Sequence, residues 1–245
     1  MRDGKPESDP TGAGNGGEEG PAQPSGRPLP RGPHRLAREV ILASQRGRML
    51  EAMAESVAEK GYASTTVADV VGRAGVSRKT FYEHFTDKQD CFLAAYDACV
   101  DILMTQVIDA REGIDDWREA MRASLLAYLE VMASEPALAR TFFVEVLAAG
   151  PRALERRAEV HARFAELSRN LHEQMRRAHP ELPALPEPVF HAMVGAINEL
   201  VFAVVREGRT ADLPELEQPI LYLQIAVFAG HARAEALMGA RQRSA

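Results

Sequence analysis

The densest group of side chains able to do chemistry is the run Arg78-Lys79-Thr80-Phe81-Tyr82-Glu83-His84. At helical spacing it divides by face: Phe81, with Phe85 four residues on, turns inward, while Arg78, Lys79, Thr80, Tyr82 and His84 stay outside. All five can hydrogen-bond to a phosphate or a base edge. Lys88 follows in the first turn of the next helix, where a cation opposes the helix dipole and is useful chiefly against an anion. Helix N-termini expected at Thr66 and Ser77 add backbone N–H groups suited to the same anions. This pattern points to binding of DNA.

Other chemistries find little support. Gly12-Ala13-Gly14-Asn15-Gly16-Gly17 copies the G-x-G-x-x-G pattern but has no strand before it and no helix after it. His161 and His172 are eleven residues apart and His172 and His179 seven, too far to share one ion, so no metal is expected. Cys91 and Cys99 would lie about 12 Å apart at roughly 1.5 Å per helical residue, beyond disulfide reach. No P-loop, Ser-His-Asp order or Cys-His pair is present, so the chain reads as no enzyme and as needing no cofactor. The alternative from another class, a helical-bundle enzyme, requires a catalytic constellation that these residues do not form.

The elements around the run are helical by periodicity. Met49, Leu50, Met53, Ala54, Val57 and Ala58 form one apolar stripe, on a helix from Ser44 to a C-cap at Gly61, with a short turn before it at 37–42. Thr66 with Asp69 is a capping box that opens a second helix ending at Ala74-Gly75. Ser77 caps the third, and Asp87 with Asp90 caps a long fourth that reaches Asp109. Val76 plugs the angle between the second and third helices. Further helices are expected near 116–133, 136–149, 152–178, 187–206 and 214–238, with breaks at Gly150-Pro151 and across 180–188.

Composition bounds the rest. Of 245 residues 46% are apolar, and no apolar run reaches the roughly 18 residues of a membrane span. Residues 1–20 lack the apolar core of a secretory signal, and two cysteines are too few for a disulfide scaffold, so a reducing cytoplasm and no membrane contact are expected. Residues 1–33 hold eight Gly and seven Pro and read as a disordered tail. The net charge of −6 is unevenly spread: −2 over residues 1–30, +3 over 31–88 and −7 over 89–245. The basic segment is the one that holds the reading run.

The run Gly61-Tyr62-Ala63-Ser64-Thr65-Thr66, then Ala74-Gly75-Val76-Ser77, then Thr80-Phe81-Tyr82-Glu83-His84-Phe85 with Lys88, resembles the DNA-binding segment of the TetR family of transcriptional regulators. The likeness spans roughly residues 44–95 and fixes a dozen positions in register. It implies that Thr66, Ser77, Arg78, Lys79, Thr80, Tyr82, His84 and Lys88 face DNA. Within that set Tyr82 and Lys88 would hold phosphates, and Arg78, Lys79 and Thr80 would read bases. Lys79 departs from the small residue, commonly Gly, that the family carries there, so no operator sequence is inferred.

The resemblance also implies a C-terminal helical domain that binds a small molecule and forms a two-fold dimer. The expected architecture is all-α, with about nine helices: a tail over 1–33, a three-helix helix-turn-helix domain over 34–90, and a ligand-binding and dimerisation bundle over 91–245. The partners are an operator in double-stranded DNA, a second copy of the chain, and an unidentified small-molecule effector. Met104, Trp117, Met121, Tyr128, Phe142 and Phe164 are candidates to line an adaptable apolar cavity, each also readable as ordinary core. Glu145, His161 and Asn198 are the candidates to orient a ligand. Helix 187–206 and the run 220–230 are apolar on more faces than one subunit needs. Phe190, Val194, Ile197, Val201, Leu221, Ile225 and Phe228 are therefore expected at the dimer seam, where Gly195 and Ala196 permit close approach. The expected function is a repressor released from a palindromic operator by a small apolar ligand. The alternative within the same fold is control by a protein partner, or by no ligand.

Overall fold

A computed structural model describes residues 44–230 together with Ala232, Arg233 and Ala236. The tail at 1–33, the turn at 37–42 and most of the last stretch of the expected 214–238 helix lie outside those residues. The described residues form helices and no strand.

Three short-range capping arrangements set the head. Ser44 accepts the Gly47 N–H and starts α1, Gln45–Ser64, whose last turn is interrupted by Gly61 at φ 80°. Thr66 and Asp69 complete the capping box of α2, Val67–Ala74, which ends on Gly75 at φ 64°, a left-handed conformation that a glycine adopts without strain. Ser77 accepts the Thr80 N–H and starts α3, Arg78–His84. Beyond the head, Asp87 accepts the Asp90 N–H and starts α4, Lys88–Asp109.

The body consists of α5 (Trp117–Ser134), α6 (Pro136–Arg140), a π-helical segment (Thr141–Glu145), α7 (Val146–Ala148), α8 (Pro151–Ala178) and α9 (Glu187–Arg206). A 3₁₀ segment, Thr210–Leu216, and α10, Glu217–Ala229, close the chain's described part. Two expected helices are therefore divided. The 136–149 helix carries a π segment in its middle. The 214–238 helix becomes a 3₁₀ stretch containing Pro214, then α10, which stops at Gly230 with φ 93°.

One continuous apolar core joins head and body. Met49, Met53 and Val57 of α1 meet Phe81 and Phe85, and the same cluster continues through Phe92 and Tyr96 of α4 to Leu129, Phe143 and Val201. Since α4 begins at Lys88, it crosses the expected 90/91 boundary and belongs to both parts. Two helices, α4 and α9, are long and apolar enough to cross a membrane, with mean hydropathies of 1.5 and 1.7. Neither is an uninterrupted apolar run, since Asp97 and Asp101 fall within α4 and Glu199 within α9. Both contribute to the core, through Phe92, Tyr96 and Leu103 on α4 and Phe190, Met193 and Val201 on α9.

Much of the expected dimer seam is already covered within the single chain. Phe190, Val201, Leu221, Ile225 and Phe228 are each 4% exposed or less within the single chain. An intrachain cluster covers the two phenylalanines: the His172 ring of α8 lies 4.8 Å from Phe228 and 5.7 Å from Phe190. Val194 and Ile197 face a cavity inside the subunit. Ala192, Ala196 and Leu200, the last 39% exposed, form a surface strip on α9 flanked by the exposed His191 and Glu199.

Candidate nucleic-acid interface and effector cavity

The reading helix α3 is held from below. Phe81 is fully buried and packs edge-on against Tyr82, ring centroids 5.4 Å apart, and against Phe85 at the same distance. Arg46 of α1 covers the Phe85 ring at 5.4 Å. With that side fixed, Arg78, Lys79, Tyr82 and His84 are exposed, and Tyr82, at 59%, is the most exposed large apolar-bodied side chain described. Thr80 is half-buried and its hydroxyl lies 2.9 Å from that of Ser77. Arg48 donates to the Ala74 carbonyl, and Arg73 pairs with Glu55 and Glu59, so α2 is fastened to α1. Thr66 is exposed, but both its hydroxyl and its N–H are engaged by Asp69. The Asp69 carboxylate, bonded by Lys60 and Thr66, is held well below the ordinary range.

Lys88 is placed differently from its neighbours. Its ammonium donates to the Tyr62 carbonyl at 2.8 Å and lies 4.2 Å from the centre of the Tyr62 ring. It shares that carbonyl with the Thr65 N–H, which lies 3.2 Å from it at the end of α1, and partial burial lowers the Lys88 pKa. To take a phosphate it must share or leave this site.

Glu145 is not in the cavity, which corrects its assignment as a ligand-orienting group. It is 6% exposed and stands between body and head. Its Oε2 accepts the Tyr62 N–H at 2.8 Å, and its Oε1 accepts Arg140 Nε at 3.0 Å. The π segment aims it there, and Gly61 leaves it room, since a Cβ at that glycine would sit 3.4 Å from Oε2. A second tie runs beside it: Gln89 of α4 donates to the Ala149 carbonyl at 2.6 Å and accepts from Arg152.

A cavity of about 110 Å³, partly open to the surface, lies among the helices of the body. Of the expected lining residues, Met121, Tyr128, Phe142, His161, Phe164 and Asn198 face it. Met104 packs against the core away from it, and Trp117 lines a separate outer cleft of about 510 Å³. His161 and Asn198 are bonded to each other at 3.2 Å, and Ser124 donates to the Val107 carbonyl. Burial, aided by Arg157, lowers the His161 pKa, which favours the neutral ring. Gln224 Oε1 is buried with no partner among the described residues. Arg111 also lines the cavity, and burial lowers the pKa of its guanidinium. Sequence reading missed both: Arg111 interrupts no apolar run, whereas Gln224 is the polar break in the apolar run 220–230, a signal that could have found it. Phe142 links this region to the head: it faces the cavity, stacks on Tyr96 of α4 at 4.9 Å, and lies three residues before Glu145 on the π segment.

A reading helix propped on a two-helix support and carried by a helical body is the helix-turn-helix class of DNA-binding architecture. Residues 49–95 match the family described as bacterial regulatory proteins, tetR family. It is 30% identical over 109 residues to the HTH-type transcriptional activator FasR of Mycolicibacterium smegmatis, a match covering 44% of this chain and 50% of that protein. The chain thus spans about half the length of that relative. Among solved structures, the fatty acid degradation regulator FadR from Bacillus halodurans superposes with TM-score 0.66 at 19% identity, over 74% of this chain and 94% of that one. FadR from Bacillus subtilis, solved in complex with stearoyl-CoA, gives 0.66 at 17% identity over 75% and 97%. The ketosteroid regulator KstR2 of Mycobacterium tuberculosis gives 0.54 at 21% over 76% and 95%. At these identities the superpositions establish the fold.

Proposed function

We propose that the protein is a dimeric DNA-binding regulator whose operator affinity falls when a small apolar-bodied effector enters the cavity. The observation that carries the reading is α3 itself, which exposes Arg78, Lys79, Tyr82 and His84 on the face opposite the buried Phe81. Two copies related by a two-fold axis insert these helices into successive major grooves, with half-sites about 34–36 Å apart or somewhat wider, which calls for a palindromic operator. The seam is the surface strip Ala192, Ala196 and Leu200 of α9, since the larger apolar residues of α9 and α10 are spent inside the subunit.

The cavity favours a small effector over control by a protein partner. Its lining is mostly apolar, with one buried acceptor, Gln224 Oε1, still to be satisfied. That the Bacillus subtilis FadR structure carries stearoyl-CoA, and that the Bacillus halodurans FadR is described as a fatty acid degradation regulator, supports an effector with an alkyl or similar body. Whether release silences or activates a gene depends on where the operator lies relative to the promoter; FasR is named an activator.

The test is anisotropy of labelled DNA from upstream of the chain's own gene, against a scrambled duplex. Arg78→Ala or Lys79→Ala is expected to relax preference for the cognate sequence by about 1–3 kcal/mol for each base no longer read. Equal binding of cognate and scrambled DNA by the unaltered protein would contradict the reading.

A further inference from the structure

The inner cavity and the outer cleft share two wall residues, Arg111 and Leu171. Leu171 belongs to the apolar lining. Arg111 stands just past the end of α4, half-buried, and none of the hydrogen bonds or ion pairs of the described residues involves its guanidinium. Arg46, Arg78, Arg157, Arg177 and Arg206 likewise enter no hydrogen bond or ion pair among the described residues, but of these only Arg157 is also half-buried. Arg73, Arg118, Arg122, Arg140, Arg163 and Arg209 all pair with carboxylates at 2.5–3.2 Å. A half-buried guanidinium facing two voids needs an anion to offset its lost hydration. Asp109, Glu112 and Asp115 line the same outer cleft, yet none forms an ion pair with it.

Those three carboxylates also limit which anion fits. Among the described residues, the only other basic side chain on the cleft wall is His179, whose Nδ1 already lies 3.4 Å from Glu181. A head group of several phosphates would be repelled by three carboxylates while facing one arginine. A single carboxylate at Arg111 is matched by a bidentate guanidinium contact and stays away from the acidic rim.

We propose that Arg111 anchors the head of the effector, and that the effector is an apolar-bodied molecule with a single carboxylate, its body in the inner cavity. This rests on the reading of that cavity as an effector site. The inner void of about 110 Å³ is close to the size that accepts a benzene ring, so the body is short or compact, or the cavity opens to admit a longer one.

The experiment uses the full chain and its sole tryptophan, Trp117 on the cleft wall, as the reporter. Octanoate, methyl octanoate and octanoyl-CoA are titrated against the unaltered protein, Arg111→Leu and Arg111→Lys, with binding confirmed by calorimetry. Octanoate is expected to bind at least tenfold more tightly than its methyl ester. Arg111→Leu should abolish that difference, with circular dichroism reporting that the variant is folded; Arg111→Lys should keep part of it. Octanoyl-CoA should bind more weakly than octanoate and gain when Asp109, Glu112 and Asp115 are neutralised to amides. If Arg111→Leu kept the preference for the acid, the anchor would be wrong. If octanoyl-CoA bound the unaltered protein more tightly than octanoate, the single-carboxylate assignment would fall. If no probe bound at all, the cavity would not be an effector site, and the proposal would fall with that reading.

Discussion

The carboxylate of Glu145, on a π-helical segment of the body, accepts the backbone N–H of Tyr62 at 2.8 Å, in the last turn of the helix that supports the reading head. The same Tyr62 gives its carbonyl to Lys88 at the start of α4. One residue of the head is thus gripped from two sides, by the body and by the helix that joins body to head. Phe142, three residues before Glu145, faces the cavity. An effector that moves Phe142 acts on the same segment that holds the head.

Replacing Glu145 tests that grip. Glu145→Gln removes a charge-assisted bond to a backbone N–H and leaves Arg140 without its buried partner. The expected cost is about 1.5–3 kcal/mol of unfolding free energy, measured by urea denaturation. Gly61→Ala should also destabilise, by about 1 kcal/mol or more, because φ 80° is strained for alanine. Stability unchanged in both variants would remove Glu145 from any coupling role.

The dimer seam separates two kinds of variant. Ala196→Arg places a charge on the exposed strip of α9 and should convert dimers to folded monomers in sedimentation analysis. Val201→Arg, further along the same helix but fully buried, should instead unfold the subunit. Dimers that survive Ala196→Arg would place the seam elsewhere.

Acid should weaken the body through His172. The ring is 2% exposed, its Nε2 has no partner among the described residues, and burial lowers its pKa. Below the ordinary histidine value near 6.5 the unfolded chain takes up the proton first, so stability falls as pH drops through that region, down to the lowered folded value. His172→Phe should lose less stability than the unaltered protein between pH 7.5 and pH 5.5, measured by thermal melts. An identical pH dependence in the two proteins would exclude His172 as the source.

Much of the head is legible in the sequence because its signals are local. Ser44, Thr66, Ser77 and Asp87 each cap within three residues, and Gly61 and Gly75 mark stops by backbone conformation. The body is less legible because its distinctions are tertiary. The expected seam residues Phe190 and Phe228 are covered by His172, a neighbour from a different helix that periodicity cannot supply. Glu145 interrupts an apolar stretch just as a ligand-orienting residue would, and only the packing of α1 against the π segment shows that its partner is a backbone N–H. Arg111 carries no sequence signal at all; its significance lies in a half-buried guanidinium that no described carboxylate pairs with.

The central claim is that α3 and its flank bind DNA, and the most direct measurement is operator affinity across a salt series for the unaltered protein, Lys88→Ala and the double variant Tyr82→Ala, Lys88→Ala. Lys88→Ala is expected to weaken binding to all sequences and flatten the log–log salt slope by about one. The double variant should lose operator binding while keeping its fold by circular dichroism, and intact operator binding by it would contradict the account.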